Sequence, residues 1–328
     1  MTIVGSGDFT YHVAEGWEQL PAGWSHRDVA RVAVDSRDRV YVFNRGAHPV
    51  IVYDRDGRFL ASWGEGLFTN PHGITIGPDD RVYCTDAGDH TVRIFTPSGT
   101  LLQTLGAPGV ASDSGIGDDY RSIRRGAPPF NRPTNLAIAP TGDLYVSDGY
   151  GNARVHCFSP DGALRFSWGE PGTGPGEFNL PHAVAVAADG RVLVADRENS
   201  RVQLFSPRGE YLTTWTDVSR PDDLAIDPQG HVFVVELSVN VGAWGKQPPD
   251  LSAPPSRCSV FDLDGRLLAR WGSHDPCAPG SFFAPHGVCL DSRGDLYVGE
   301  VTWTAGGRVG AVPEDCHTLQ KLVRVRAR

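Results

Sequence analysis

Three histidines follow a proline in the same kind of setting: Asn70-Pro71-His72, Leu180-Pro181-His182 and Ala284-Pro285-His286. Each tripeptide opens a short alternating apolar run, carried by Ile74 and Ile76, by Val184 and Val186, and by Val288 and Leu290. Neutral imidazole is a ligand for divalent transition metals, and a three-histidine shell keeps one coordination position for water or substrate, as catalytic zinc centres do. The nitrogen donor set favours zinc, while iron, cobalt and manganese accept the same ligands. The preceding proline fixes the backbone and helps orient each ring. A second group adds proton and anion chemistry: Arg45 in VFNRG, Tyr150 in VSDGYGNAR and Arg197 in VADRENSR, all just beyond strand-like runs. A phenol beside a cation and a metal-bound oxygen can act as a base, and an arginine fork suits a carboxylate. Singly, such residues are as readily surface charge or packing. A common place in a repeat is what groups them.

That repeat is visible when turn-and-strand stretches are set under one another: SRDRVYV (36–42), PDDRVYC (78–84), PTGDLYV (140–146), ADGRVLV (188–194), PQGHVFV (228–234) and SRGDLYV (292–298). Most copies continue through alternating apolar residues and a glycine turn to a strand ending in Trp-Gly, as in VIVYDRDGRFLASWG and RCSVFDLDGRLLARWG. Each unit reads as four short antiparallel strands with a tight hairpin before the last. Four-stranded units recurring about every 40–50 residues, six times over, predict an all-β, six-bladed β-propeller occupying residues 1–328 as one domain. The pattern resembles the NHL repeat. A pair of β-sandwiches would not account for six copies of one unit.

Aligning the innermost strands places Ala30, His72, Thr134, His182, Asp222 and His286 at one equivalent position. The histidines fall in alternate units, so in a closed ring they converge on the axis. The sixth unit lacks an outer strand, and the alternating Phe9, Tyr11 and Val13 are expected to supply it and close the ring. Long insertions at 107–129, 239–256 and 302–318 all emerge on the face where the inner strands begin, which is where binding loops belong.

A formal net charge of −9 disfavours a nucleic-acid partner, since that affinity comes from clustered Lys and Arg. The N-terminus has no basic start followed by an apolar core, and no segment approaches the roughly 20 apolar residues of a spanning helix. The expectation is a soluble cytoplasmic protein with no membrane partner. The six cysteines form no CxxC pair, and Cys84, Cys157 and Cys289 replace apolar residues within strands, so buried reduced thiols are expected.

The stretches VFNRG, NPHGI, VSDGYGNARV, FSWGEPGTGPGEFNLPHAVAV, VADRENSRVQLF and APHGV are similar, in order and over nearly the whole chain, to the catalytic core of peptidyl-α-hydroxyglycine α-amidating lyases. The resemblance implies that His72, His182 and His286 bind a catalytic zinc, Tyr150 is the base, Arg45 supports it, and Arg197 meets the substrate. It implies a metal-dependent lyase that cleaves the N–C bond of an α-hydroxyglycine-type small molecule, bearing a hydroxyl and a carboxylate, to an amide and glyoxylate. Two departures stand out. The family follows its last zinc histidine with an aspartate that helps hold a calcium; here that residue is Gly287. This leaves the backbone carbonyls of Val32 and Ile74, with Asp222 as a compensating carboxylate, for a hard cation that prefers several charged oxygens. Secreted members also carry a disulfide next to the catalytic tyrosine, where this chain has Gly151, in keeping with a reducing compartment. The insertions bearing Trp244, Trp303, Asp315 and His317 have no counterpart and are expected to cap the mouth. Two other readings stay open: a propeller hydrolase, lactonase or isomerase acting on a hydroxylated substrate, and a non-catalytic NHL scaffold.

Overall fold

A computed structural model describes residues 2–239, 241 and 253–326; Trp244 lies outside them. The alternating apolar runs form strands as expected, and the fold is a six-bladed β-propeller of four-stranded antiparallel sheets, one of them extended to five strands. The backbone groups into two compact units, Gly66–Gly230 and Met1–Glu65 with His231–Arg328. The division falls within the fifth sheet, after its inner strand Pro221–Ile226.

The unit Gly66–Gly230 holds the second, third and fourth sheets. Their inner strands are Pro71–Ile76, Pro133–Ile138 and Pro181–Val186, and their second strands are Val82–Asp86, Leu144–Asp148 and Val192–Asp196. The second strands are buried along their whole length, whereas outer strands such as Leu101–Leu105 show their first residues to solvent. Tyr83, Ile94, Phe130, Leu136, Val146 and Phe158 fill the space between neighbouring sheets, where removal of apolar area from water supplies the packing energy. The Trp-Gly signature has a local cause. Gly169 turns the chain after Trp168 with φ of +102°, and a Cβ there would sit 2.5 Å from the Phe178 ring.

In the unit Met1–Glu65 with His231–Arg328, the first sheet has inner strand Val29–Val34 and second strand Val40–Asn44, and the sixth has Pro285–Leu290 and Leu296–Glu300. Asp35, Asp54, Asp262 and Asp291 each accept the N–H groups two and four residues on, closing the hairpin turns that the repeated Asp-x-x-Gly and Asp-x-x-Asp motifs encode. Phe9–Val13 joins the sixth sheet antiparallel to Leu319–Arg324, with Tyr11 opposite Arg324 and Val13 opposite Leu322. Phe9, Tyr11 and Val13 are the buried members of that strand. An unanticipated strand, Ile3–Ser6, pairs outside it, so the closing strand is not the sheet edge.

The cysteine expectation is corrected in part. Cys84, Cys157 and Cys258 are buried free thiols and Cys289 is half-buried, but Cys277 and Cys316 form a disulfide. Both lie in loops, where no apolar residue is being replaced, and they tie the 302–318 insertion to the loop before the sixth inner strand. A structural disulfide belongs with an oxidising compartment and speaks against the cytoplasmic expectation. Among the described residues no helix is long and apolar enough to cross a membrane.

Candidate metal centre and its polar surround

The loops that lead into the three histidine-bearing inner strands are held by an acid at the end of the second strand of the same sheet. Asp86 accepts the N–H groups of Thr69 and Asn70 at 2.7 and 2.8 Å, Asp196 that of Asn179 at 2.7 Å, and Glu300 those of Phe283 and Ala284 at 2.9 and 3.2 Å. These donors lie two or three residues before His72, His182 and His286. All three acids are fully buried, and charge-assisted bonds of this kind fix the backbone that presents each ring. Sequence reasoning passed over them although the signal is plain: VYCTD, VLVAD and LYVGE each end in an acid.

Within the unit Gly66–Gly230, His72 donates from Nδ1 to the Thr134 carbonyl and His182 from Nδ1 to the Asp222 carbonyl, both at 2.6 Å. A carbonyl can only accept, so the proton is on Nδ1 and the lone pair on Nε2. The two rings are 4.8 Å apart, centroid to centroid. Tyr150 packs its ring edge-on against His72 at 5.0 Å and donates its hydroxyl to His182 Nε2 at 2.9 Å. The structure thus brings Tyr150, His72 and His182 into one cluster.

Arg197 is buried beside that cluster. Its guanidinium lies 5.5 Å over the Tyr150 ring, its Nη1 is 3.4 Å from the Tyr150 hydroxyl and 3.0 Å from Asp222 Oδ1, and its Nε donates to Glu198 at 2.9 Å. Glu198, which is half-buried, also accepts from Arg220 at 2.8 Å, joining the buried Arg197, Arg220 and Asp222 in a set of two cations and two anions. Burial opposes the Arg197 charge, but Tyr150, Asp222 and Glu198 outweigh it and hold its pKa above the usual value. Burial pushes Asp222 up to about 6 against the pull of Arg197.

In the unit Met1–Glu65 with His231–Arg328, His286 donates from Nδ1 to the Ala30 carbonyl at 2.6 Å, the same local arrangement as its two counterparts. Arg45 follows the second strand of the first sheet, and its N–H donates to the Asp28 carbonyl at 2.9 Å. Burial raises the pKa of Asp28, although Thr304 bonds to it through both its N–H and its hydroxyl and Arg45 adds its charge. The 302–318 insertion is thereby anchored beside the first sheet, with Trp303 under the Arg27 guanidinium at 5.1 Å. Asp315 is exposed. His317, expected at the mouth, instead turns to the acid that holds the sixth inner strand, 3.0 Å from Glu300.

His72 and His182 are buried together in the one unit, His286 is buried in the other, and all three are of the side-chain type that ligates divalent transition metals. The donor set fits: in all three, one ring nitrogen donates to a backbone carbonyl, the outer-shell bond that fixes the ligating tautomer of metal-bound histidine. Calcium does not fit. Val32 and Ile74 are buried in their inner strands, but a Cβ on Gly287 would lie 2.5 Å from Arg31 Cα and 3.0 Å from the Ala30 carbonyl oxygen, so the missing carboxylate has no room. Asp222, the other carboxylate considered, has its Oδ1 engaged by Arg197 and 3.1 Å from His182 Nδ1.

Residues 68–95, 130–158 and 178–205 match the NHL repeat. The chain is 34% identical over 268 residues to NHL repeat-containing protein 3 of Homo sapiens, covering 76% of this chain and 73% of that one. It is 32% identical over 185 residues to a probable peptidyl-alpha-hydroxyglycine alpha-amidating lyase of Caenorhabditis elegans, covering 52% and 49%. A solved gluconolactonase from Xanthomonas campestris superposes with a TM-score of 0.60 over 91% of this chain and 86% of that one, at 14% identity, a likeness of fold alone. With the repeat, the six sheets and these relatives together, the chain belongs to the NHL-repeat β-propellers, the family of NHL repeat-containing protein 3, and is amidating-lyase-like within it.

Proposed function

We propose that the chain is a metal-dependent lyase that cleaves the N–C bond of an N-acyl-α-hydroxyglycine to an amide and glyoxylate. In this reading His72, His182 and His286 hold one divalent transition metal, zinc by preference, through Nε2. Bound there, the metal supplies Lewis-acid polarisation of a substrate oxygen. The observation that carries the reading is the hydrogen bond from Tyr150 to His182 Nε2, which sets a phenol oxygen beside a nitrogen suited to ligation.

Tyr150 takes the proton from the substrate hydroxyl. The C–O bond becomes the aldehyde of glyoxylate as the C–N bond breaks, and the proton is returned to the amide nitrogen, so no oxidant or reductant is consumed. Arg45 supports Tyr150 in the proton-accepting state. Arg197 receives the substrate carboxylate: a guanidinium has five N–H donors, and its bonds to Asp222 and Glu198 hold the fork in place without using all of them. Arg197, Arg220, Glu198 and Asp222 balance one another, so an arriving carboxylate meets a preorganised set of donors and no large excess of charge.

A lactonase-type reading is not favoured, because propeller calcium would call for carboxylate ligands and the residues around Gly287 exclude one. The test is glyoxylate release from a panel of N-acyl-α-hydroxyglycines with and without chelator. The expected result is release that chelator abolishes and His182→Ala reduces by about 10³-fold or more. A chain that releases no glyoxylate from any of them, while retaining its metal, would reject the lyase and leave a binding protein.

A further inference from the structure

The insertion between the second and third sheets does more than lengthen a loop. Its Tyr120–Ile123 turn faces the segment 171–180 across a cavity of about 310 Å³. Ile123, Ala153, Phe178 and Leu180 give the cavity an apolar wall, and Tyr120, Arg121, Thr173 and Asn179 bring polar groups to its lining. The volume is at the lower end of ligand cavities, about 300–1,000 Å³, which suits one chain or ring of a ligand and not a whole second molecule.

Its position ties it to the Tyr150 cluster. Leu180 stands two residues before His182, and its carbonyl accepts the Arg197 N–H at 3.1 Å; the neighbouring Asn179 carbonyl accepts the Glu198 N–H at 3.0 Å. Ala153, on the same wall, is three residues beyond Tyr150 in the loop that carries both. From the other side, the charges of Glu198 and Arg197 both reach Tyr120. The cavity therefore borders the residues that would bind the reacting end of a substrate.

We propose that this cavity receives the apolar acyl group that the substrate carries on its amide nitrogen, so that the 107–129 insertion sets acyl-chain preference. The inference rests on the proposed lyase reading for the identity of the reacting end. Burying each further methylene should tighten binding about 3- to 4-fold until the cavity is full.

The probe is the stable N-acylglycine series from acetyl to octanoyl, titrated calorimetrically into the full chain, with the matching primary amides as a second series. Affinity is expected to climb with chain length in both. Ile123→Trp fills the cavity and should cost octanoylglycine about 10-fold or more while acetylglycine changes far less. Thr173→Trp, on the opposite rim, gives the same pattern and covers the case in which the first variant does not fold. Affinity independent of chain length, or equal losses for short and long chains, would overturn the proposal. A chain-length slope with no glyoxylate from any hydroxyglycine would keep the cavity assignment and reject the lyase; glyoxylate release with a KM indifferent to chain length would do the reverse.

Discussion

The inner strands of the even-numbered sheets and those of the odd-numbered sheets share one register but do different work. At the second residue of the strand the even sheets carry His72, His182 and His286; the odd sheets carry Ala30, Thr134 and Asp222. The odd residues are not idle. Their backbone carbonyls accept the Nδ1 protons of the three histidines, each at 2.6 Å. The lesson is that a repeat can divide a candidate metal centre between side chains from alternate copies and backbone acceptors from the copies between. The acceptor's side chain is then released for other use: Thr134 bonds Ser147, and Asp222 positions Arg197.

This contrast can be broken at several points. Tyr150→Phe keeps the ring against His72 but removes the proton acceptor; turnover should fall about 10²- to 10⁴-fold with metal content unchanged, as checked by stopped assays beside metal analysis. Cys316→Ser, remote from both sets of strands, should lower unfolding free energy by about 2–4 kcal/mol in denaturant titration and leave metal content alone. Asp86→Ala and Asp148→Ala form a matched pair, one acid holding the loop before a histidine strand and the other that before Thr134. Each should cost about 1–3 kcal/mol of stability by leaving buried N–H groups unsatisfied, but only Asp86→Ala should weaken metal binding, about 10- to 100-fold. Equal metal loss in both would show that the distinction between even and odd sheets is wrong. Smallest of all, Thr134→Val leaves the accepting carbonyl in place and should change metal affinity less than about 3-fold.

Most of the fold was readable in the sequence, because each sheet repeats the same turn chemistry and the same alternation. The closing role of Phe9, Tyr11 and Val13 followed from one missing strand and a period of two. Of the candidate site, the three histidines could be grouped from the sequence because they sit at one offset within the repeat, whereas the roles given to them and to Tyr150 belong to the proposed function. The Cys277–Cys316 pair was not, since disulfide pairing depends on where two loops meet and leaves no periodic trace. The same holds for the closed space at Gly287, which depends on how near Arg31 approaches, and for the commitment of Asp222 to Arg197. His317 was assigned to the mouth from its loop alone; its bond to Glu300 could be known only from the packing.

The central claim is that three imidazoles from alternate repeats serve one cation. Metal analysis of the purified chain and of His72→Ala, His182→Ala and His286→Ala tests it most directly. The account predicts about one transition-metal ion per wild-type chain, no stoichiometric calcium, and loss of the ion in each of the three variants. Full retention in any one of them, with the others depleted, would contradict it.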